Sequence, residues 1–279
     1  MVRYGMLIDL KSCNGCKACM TTCKANHSIP VGEYAGREYY RIWPMEVELG
    51  KFPYVVRNLT PLLCMQCEAP PCVGVCPIPG AIYRREDGLV LIDEKKCNGC
   101  KLCIPSCPYD ALYFRADKQV VDKCTLCVEN IDEGLLPECV RTCPAQAMFF
   151  GNLEDPESQI SKLIKEWDAK PLHPEHGTKP SVYYTSHAAR LRGMVESKET
   201  GQAVRGANIT LECLDEEGTV STFTGSDGVF FFWNLKVRRE YWVGIEFHDF
   251  RHRKLKLYLD EEYMELGRIP ITRLTGEAA

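Results

Sequence analysis

The stretch 97–108 reads CNGCKLCIPSCP, in which four cysteines are separated by two, two and three residues and precede a proline. The same spacing occurs at residues 13–23, and groups with a wider gap before the third cysteine occur at 64–76 and 124–143. This fourfold repeat decides how the first half of the chain is organised. Its members are Cys13, Cys16, Cys19 and Cys23; Cys64, Cys67, Cys72 and Cys76; Cys97, Cys100, Cys103 and Cys107; and Cys124, Cys127, Cys139 and Cys143.

Composition restricts the class of protein. The formal net charge of −4 over 279 residues gives no indication of a nucleic-acid partner. No apolar run reaches the length of about 18 residues that a membrane-spanning helix needs, so we expect no direct membrane span. Residues 1–5 lack the features of a secretory signal, which favours a cytoplasmic location. Export together with a partner that carries a signal stays an open alternative.

The cysteine spacing points to metal clusters. Three cysteines at two-residue gaps wrap their thiolates around one face of a [4Fe–4S] cube, and a fourth before proline suits the neighbouring cluster of a pair. Zinc sites usually separate two C-x2-C pairs and close at four ligands, whereas disulfide frameworks suit short secreted chains. Either alternative could explain one group, but four groups with three Cys-Pro endings favour iron. We expect four [4Fe–4S] clusters.

Short apolar runs flank the cysteine groups and predict strands. Runs at 6–9, 89–93 and 120–122 precede groups, and runs at 81–83, 111–114 and 147–150 follow them. The repeating unit is therefore a strand, a cysteine loop, a short helix or turn, and a strand. Two pairs of units predict two bacterial-ferredoxin-like modules within residues 1–154. An insertion at 26–60 is predicted to be a hairpin of Arg37–Trp43 against Tyr54–Leu59.

The pattern changes after residue 150. A helix at 156–167 and an extended Pro/His-rich segment at 170–177 predict a linker over residues 155–189. Residues 190–274 alternate short apolar strands with turns, and about seven strands predict an immunoglobulin-like β-sandwich. Phe230–Trp233 is either sandwich core or an exposed patch, and strand alternation favours core for half of it. The predicted fold class is α+β with a C-terminal all-β domain.

Other residues carry weaker signals. Asn14-Gly15, Asn98-Gly99 and Gln66 either offer amides to sulfur or keep the loops tight, as glycine does in turns. Cys213 is predicted to be a buried free thiol, and His173 and His176 to lie in a solvated loop. No Ser/His/Asp group or phosphate-binding glycine loop is apparent, so we expect no active site on this chain.

The four cysteine groups over residues 1–150 resemble the electron-transfer β subunits of the molybdopterin oxidoreductase (dimethyl sulfoxide reductase) family. In that family, groups one and four form one two-cluster module and groups two and three the other. The resemblance implies four ligand sets, which we call sets A to D. Set A is Cys13, Cys16, Cys19 and Cys143; set B is Cys124, Cys127, Cys139 and Cys23; set C is Cys64, Cys67, Cys72 and Cys107; set D is Cys97, Cys100, Cys103 and Cys76.

Residues 61–72, 83–93 and 177–184 are further similar to the small subunits of pyrogallol–phloroglucinol transhydroxylases. The C-terminal pattern around Gly206–Asn208 and Asp227–Phe230 looks like transthyretin-like or carboxypeptidase-regulatory-like sandwiches. The transhydroxylase subunits have lost some cluster ligands, whereas this chain keeps all sixteen cysteines. A complete set favours net electron flow, as in hydroxylation or dehydroxylation of phenolic rings.

The resemblance implies an electron-transfer subunit for a large molybdopterin (Mo or W) catalytic partner, in a heterodimer that could form a higher oligomer. We expect a phenolic substrate for that partner. The alternatives are a subunit of another family member, such as a reductase of sulfur, arsenic or nitrogen oxyanions or a formate dehydrogenase, and a free polyferredoxin. A structural or docking protein with relic clusters is a further hypothesis.

Overall fold

The computed structural model describes residues 2–52 and 54–274. The chain divides into two compact units. Unit 1 is Met1–Val47 with Arg57–Thr185, and unit 2 is Glu48–Val56 with Ser186–Ala279.

Residues 4–184 form short strands joined by cysteine-bearing loops and short helices. The elements are β1 (Tyr4–Ile8), α1 (Ala18–Asn26), β2 (Glu33–Tyr34), β3 (Arg37–Glu38), β4 (Ile42–Lys51), β5 (Tyr54–Leu63), α2 (Pro71–Gly74), β6 (Ile82–Arg84), β7 (Val90–Ile92), β8 (Tyr113–Arg115), β9 (Val120–Asp122), α3 (Val128–Asp132), α4 (Glu138–Arg141), β10 (Met148–Asn152), α5 (Gln159–Glu166), β11 (Lys170–Pro171), a 3-10 helix (Pro174–His176) and β12 (Val182–Tyr184).

Strand β1 lies inside a four-stranded sheet of order β10-β1-β12-β11, antiparallel to β10 and parallel to β12. Side chains alternate across a strand, so β1 serves two cores. Met6 and Ile8 join the apolar core that contains cysteines of sets B and C. Leu7 faces the other way and packs with Ile160 of α5. The sheet therefore separates the cysteine-bearing core from helix α5.

Helix α5 begins where Ser158 caps it, because the Ser158 hydroxyl accepts a hydrogen bond from the Ser161 backbone N–H. Its apolar residues recur at helical spacing, and Ile160 is fully buried. The helix lies within the predicted range 156–167. The segment after it was predicted to be extended linker, and it contributes β11, the 3-10 helix and β12.

The repeated strand–loop–strand unit is present. Strands β6 and β7 form one antiparallel hairpin, and β8 and β9 form another. The turn of the first hairpin lies at Asp87-Gly88: Gly88 has a φ of +88°, and the Asp87 carboxylate accepts from the Leu89 backbone N–H at 3.2 Å. Each hairpin thus holds the end of one cysteine group near the start of the next.

The hairpin within residues 26–60 pairs β4 with β5, so the prediction of its first strand was wrong. Strand β4 is Ile42–Lys51 and not Arg37–Trp43. Arg37 belongs instead to the small β2–β3 ladder, in which it lies opposite Tyr34. Pro44 did not prevent the strand because β4 has a single neighbour, and an edge strand tolerates proline.

Residues 189–271 form two sheets around one apolar core. The first has the order β16-β13-β19 and the second β15-β14-β17-β18. The strands are β13 (Ala189–Ser197), β14 (Asn208–Cys213), β15 (Thr219–Phe223), β16 (Val229–Leu235), β17 (Arg239–Glu246), β18 (Arg253–Leu259) and β19 (Tyr263–Ile271).

The aromatic run in β16 alternates between core and surface, as predicted. Phe230 and Phe232 are buried, whereas Trp233 is 56% exposed and stacks on Phe231. Gly193 of β13 leaves room for the Phe230 ring, since a Cβ there would lie 2.5 Å from the ring. The inner aromatic face therefore stabilises the two-sheet core.

The predicted fold class, α+β, overstates the helical content of the structure. The structure is mostly β, and the α-helices of the described residues are short and lie within residues 18–166. Most cysteines of the four groups lie in tight loops and not in helices, because the four thiols of a set must come close together. Within residues 2–52 and 54–274, no helix is long and apolar enough to cross a membrane.

We expect Phe230→Ala to destabilise the protein by about 3–5 kcal/mol, because it removes a large buried ring and leaves a cavity. Trp233→Ala is the matched control on the same strand, with an expected loss of about 1 kcal/mol since its ring is exposed. Denaturant unfolding followed by circular dichroism measures both. Equal losses would contradict the described core.

Candidate cluster-binding sites

The sixteen predicted cysteines come together in four sets of four, and none of them forms a disulfide. Each set combines three cysteines of one group with the last cysteine of another. Groups one and four exchange their last cysteines, and so do groups two and three. Each set contains the same four cysteines as one of the sets A to D, and the binding of one cluster by each set stays a prediction.

Set A lines an open pocket of about 460 Å³. Cys13, Cys16, Cys19 and Cys143 border it together with apolar residues of β5 and β10. Burial raises the pKa of the Cys19 thiol to about 11, and negative charge on Cys13, Cys143 and Cys16 adds to the rise. Cys16 is exposed, so this set reaches the surface.

Set B lines a second pocket, of about 310 Å³. The pocket is bordered by Cys23, Cys124, Cys127 and Cys139 with His27 and Arg41. Burial places the pKa of Cys139 well above the usual thiol value, and Cys124, Cys127 and Cys23 raise it further. Helices α1 and α4 supply Cys23 and Cys139, and both thiols are buried.

Two cationic or polar side chains border set B. The Nε2 atom of His27 lies 3.3 Å from the Cys127 sulfur. Arg41 is paired with the Asp122 carboxylate at 2.9 Å, and the Tyr113 hydroxyl donates to the same carboxylate at 2.8 Å. None of these residues was predicted from the sequence as a site residue. His27 lies only four residues after Cys23 and Asp122 two residues before Cys124, but no local motif marks either of them as a neighbour of set B.

Set C lies in the interior. Burial raises the pKa of Cys72 to about 12, and negative charge on Cys64, Cys107 and Cys67 contributes to the rise. The Thr178 hydroxyl donates to Cys67, which opposes the rise that burial causes in the pKa of that thiol.

Set D combines Cys76 with Cys97, Cys100 and Cys103. Burial raises the pKa of Cys103 to about 12, and the neighbouring Cys97, Cys100 and Cys76 raise it further. Cys100 is exposed, like Cys16 of set A at the equivalent position of its group. Sets A and D thus each present one thiol at the surface.

The Asn-Gly pairs keep the loops tight. Asn14 and Asn98 accept, through their side-chain oxygens, the backbone N–H of Cys16 and Cys100, both at 3.2 Å. Gly99 has a φ of +69°, and a Cβ on it would lie 2.5 Å from a backbone oxygen of Gln119. These bonds support the turn explanation, and at Gly15 the backbone N–H also donates to the Cys13 sulfur, which opposes the rise that burial causes in the pKa of that thiol.

Gln66 does not offer its amide to sulfur. It is fully buried, and its Nε2 donates to the backbone oxygen of Cys124 at 2.9 Å. Its Oε1 accepts the backbone N–H of Val90 at 2.7 Å. Gln66 therefore connects the loop of group four with strand β7.

The donor sets fit iron–sulfur clusters chemically. Each set offers four sulfurs, and burial makes their ionised form costly unless a cation is present. Metal binding removes this cost, because thiolates ligate metal directly and release their protons. Four thiols also suit a tetrahedral zinc ion, so the donor count alone does not identify the metal.

Other residues singled out in the sequence lie away from these sets. Cys213, predicted to be buried, is partly exposed at the end of β14. His173, Glu175 and His176 are exposed, and their ligand atoms lie within 4.8 Å of one another. His176 packs edge-to-face on Tyr109.

Comparisons with known proteins identify the cofactor type. The family described as "4Fe-4S dicluster domain" matches residues 55–153, and "4Fe-4S binding domain" matches residues 10–26. The tetrathionate reductase B subunit of Salmonella typhimurium is 41% identical over 184 residues, which cover 65% of this chain and 72% of the relative. The sulfite dehydrogenase B subunit of Allochromatium vinosum is 42% identical, with 66% and 83% covered.

The arsenate respiratory reductase iron–sulfur subunit ArrB of a Shewanella species is 33% identical, over 66% of this chain and 96% of the relative. The chain belongs to the iron–sulfur B subunits of molybdopterin oxidoreductases. Iron–sulfur binding and electron transfer are properties of this family of subunits. The alternatives of zinc and disulfides are thereby set aside for residues 10–153.

Two solved structures resemble parts of this chain at low scores. The Bacillus anthracis TIE protein has a TM-score of 0.28 and 12% identity, over 33% of this chain and 18% of that chain. The Bacillus cereus pilin BcpA has a TM-score of 0.27 and 11% identity, over 34% and 32%. Such scores carry no argument, so the transthyretin-like relationship of the sandwich stays a prediction.

We expect Gly99→Ala to lower the iron content of the purified protein, because the new methyl group collides with the Gln119 carbonyl oxygen and distorts the loop of Cys97 and Cys100. Gly134→Ala is the control: its φ is +76°, but open space surrounds it. Both substitutions carry the left-handed backbone cost of about 1–2 kcal/mol. Iron analysis separates them, and equal iron loss would contradict the steric argument.

Proposed function

We propose that this chain holds four [4Fe–4S] clusters and transfers electrons to or from a separate molybdopterin catalytic subunit. The observation that carries the proposal is the grouping of sixteen thiols into four sets, each completed by a cysteine from another group. The proposed ligands are Cys13, Cys16, Cys19 and Cys143 for cluster A; Cys124, Cys127, Cys139 and Cys23 for cluster B; Cys64, Cys67, Cys72 and Cys107 for cluster C; and Cys97, Cys100, Cys103 and Cys76 for cluster D.

The bound clusters supply one-electron carriers. The chain's own residues hold them in sequence and control their access to water. Cys139 of set B is an electrostatic neighbour of Cys19 of set A, and Cys124 of set B is a neighbour of Cys64 of set C. Cysteines of sets C and D share one apolar cluster. The order of the path is therefore A, B, C and D.

Exposure supports sets A and D as the two ends of this path. Cys16 and Cys100 are exposed, whereas the buried thiols concentrate in sets B and C. Electrons that enter or leave the chain would do so through sets A and D. Lys17 and Lys101 stand beside these thiols, and Lys17 is paired with Glu46 at 3.1 Å.

The relatives support an oxyanion substrate for the catalytic partner in preference to a phenolic ring. The names of four of them refer to tetrathionate, sulfite, selenate and arsenate, and one refers to dimethyl sulfoxide, but none of these names refers to a phenol. Membership of a family of B subunits also favours a stable partner over a freely diffusing polyferredoxin. We therefore revise the expected phenolic substrate and propose an oxyanion.

The cluster assignment predicts which substitutions act alike. Cys13→Ala and Cys143→Ala should abolish the same electron paramagnetic resonance (EPR) signal, although 130 residues separate them. Cys23→Ala should abolish a different signal, although Cys23 is in the same cysteine group as Cys13. Cys124→Ala should abolish this same second signal. Iron should start at about 16 atoms per chain and fall by up to about four in each variant. Signals that follow the sequence groups would refute the exchange of last cysteines.

The substrate proposal predicts that the complex copurified from its native host oxidises a reduced viologen dye when an oxyanion is added. Tetrathionate, selenate and arsenate are the compounds to test, with pyrogallol as the comparison. Dye oxidation by an oxyanion supports the proposal. A reaction with pyrogallol and none of the oxyanions would restore the phenolic hypothesis.

A further inference from the structure

A fully buried lysine lies between sets B and C. Lys123 is 1% exposed, and it directly precedes Cys124. Its ammonium group donates to the backbone oxygens of Val90 and, at 3.1 Å, of Cys124. Val90 begins strand β7, whereas Cys124 is a member of set B. Lys123 thus lies between the same two backbone segments, at Val90 and Cys124, that Gln66 joins.

This position fixes the ammonium group firmly. Gln66 bonds to the backbones of the same two residues, Val90 and Cys124, at 2.7 and 2.9 Å. Both side chains are fully buried. Because two side chains hold one pair of backbone segments, the Lys123 nitrogen has little freedom to move away from the thiols around it.

A buried ammonium is costly unless negative charge lies nearby. Its chain neighbour Asp122 does not supply that charge, since Asp122 pairs with Arg41 and lies 3.6 Å from Arg115. Across residues 2–52 and 54–274, no carboxylate forms an ion pair with Lys123.

The groups around Lys123 that become negative when a cluster binds are cysteine sulfurs. Burial raises the pKa of Cys67, Cys72 and Cys124 to about 12, and the Lys123 charge opposes this rise in all three. Cys67 and Cys72 belong to set C, and Cys124 belongs to set B. One ammonium group therefore acts on two sets at once.

We propose that Lys123 is a positioning residue whose positive charge raises the reduction potentials of the two central clusters, B and C, above the values that their buried surroundings would otherwise give. The inference rests on the proposed cluster assignment. Reduction adds negative charge to a cluster, so a fixed cation beside it favours the reduced form. Solvent does not stabilise the negative charge that reduction adds to a deeply buried cluster. The positive charge of Lys123 stabilises it instead.

The test is a set of substitutions in the cluster-loaded protein, followed by EPR-monitored redox titration. Lys123→Gln removes the charge and keeps an amide donor for the two carbonyl oxygens. It should make reduction of clusters B and C roughly tenfold less favourable, which is about 59 mV for a one-electron couple. Clusters A and D should keep their potentials.

Two further variants separate charge from structure. Lys123→Arg keeps the charge and should leave all four potentials close to those of the unmodified protein. Lys118→Met is the surface control, since Lys118 is exposed and paired with Glu94 at 2.8 Å. Solvent screens such a pair, so no potential should move.

The outcomes distinguish this inference from the proposal on which it rests. Unmodified protein that lacks four clusters by iron and EPR analysis would refute the cluster assignment itself. Four clusters with unchanged potentials in Lys123→Gln would refute the role of Lys123 alone. If Lys123→Gln fails to retain its clusters, Lys123→Met at low temperature and Lys123→Arg give the same comparison, and equal shifts in both variants would overturn the charge argument.

Discussion

The cost of ionising a buried thiol is the constraint on which unit 1 depends. Its principal core contains sulfur where an ordinary domain would have only hydrocarbon, since Cys23, Cys64, Cys67, Cys124 and Cys139 pack among Met6, Ile8 and Leu63. Burial raises the pKa of such thiols, and a bound cluster satisfies them. The short strands and tight loops are consistent with this, because the metal centres contribute the cohesion that longer elements provide elsewhere.

The cysteine spacing predicted the repeat and the flanking strands, because cluster ligation imposes short and regular intervals on the chain, whereas the division of the cysteines into four sets came from the family resemblance. The turn role of Gly99 could also be predicted from the sequence, since glycine adopts the backbone conformation of this turn without strain. The first strand of the β4–β5 hairpin was misplaced because Pro44 and Gly50 interrupt the strand pattern of Ile42–Lys51, and an edge strand tolerates them.

The residues around the clusters were beyond sequence reasoning. His27 meets Cys127 across 100 positions, and Gln66 meets Cys124 across 58. Such contacts follow from how the modules fold together, and no local period indicates them. Strand β19 completes the predicted number of about seven strands, although Gly267 and Pro270 interrupt its apolar pattern. It tolerates them because it lies at the edge of its sheet, beside β13 only.

The exchange of last cysteines has a consequence for the order in which the chain can mature during synthesis. Sets C and D are complete once residue 107 has left the ribosome, whereas set A waits for Cys143 and set B for Cys139. Strand β1 waits longer still, since its parallel neighbour β12 ends at Tyr184. The cysteines that emerge first are thus among the last whose sets are completed, and they need protection from oxygen and from other metal ions in the meantime.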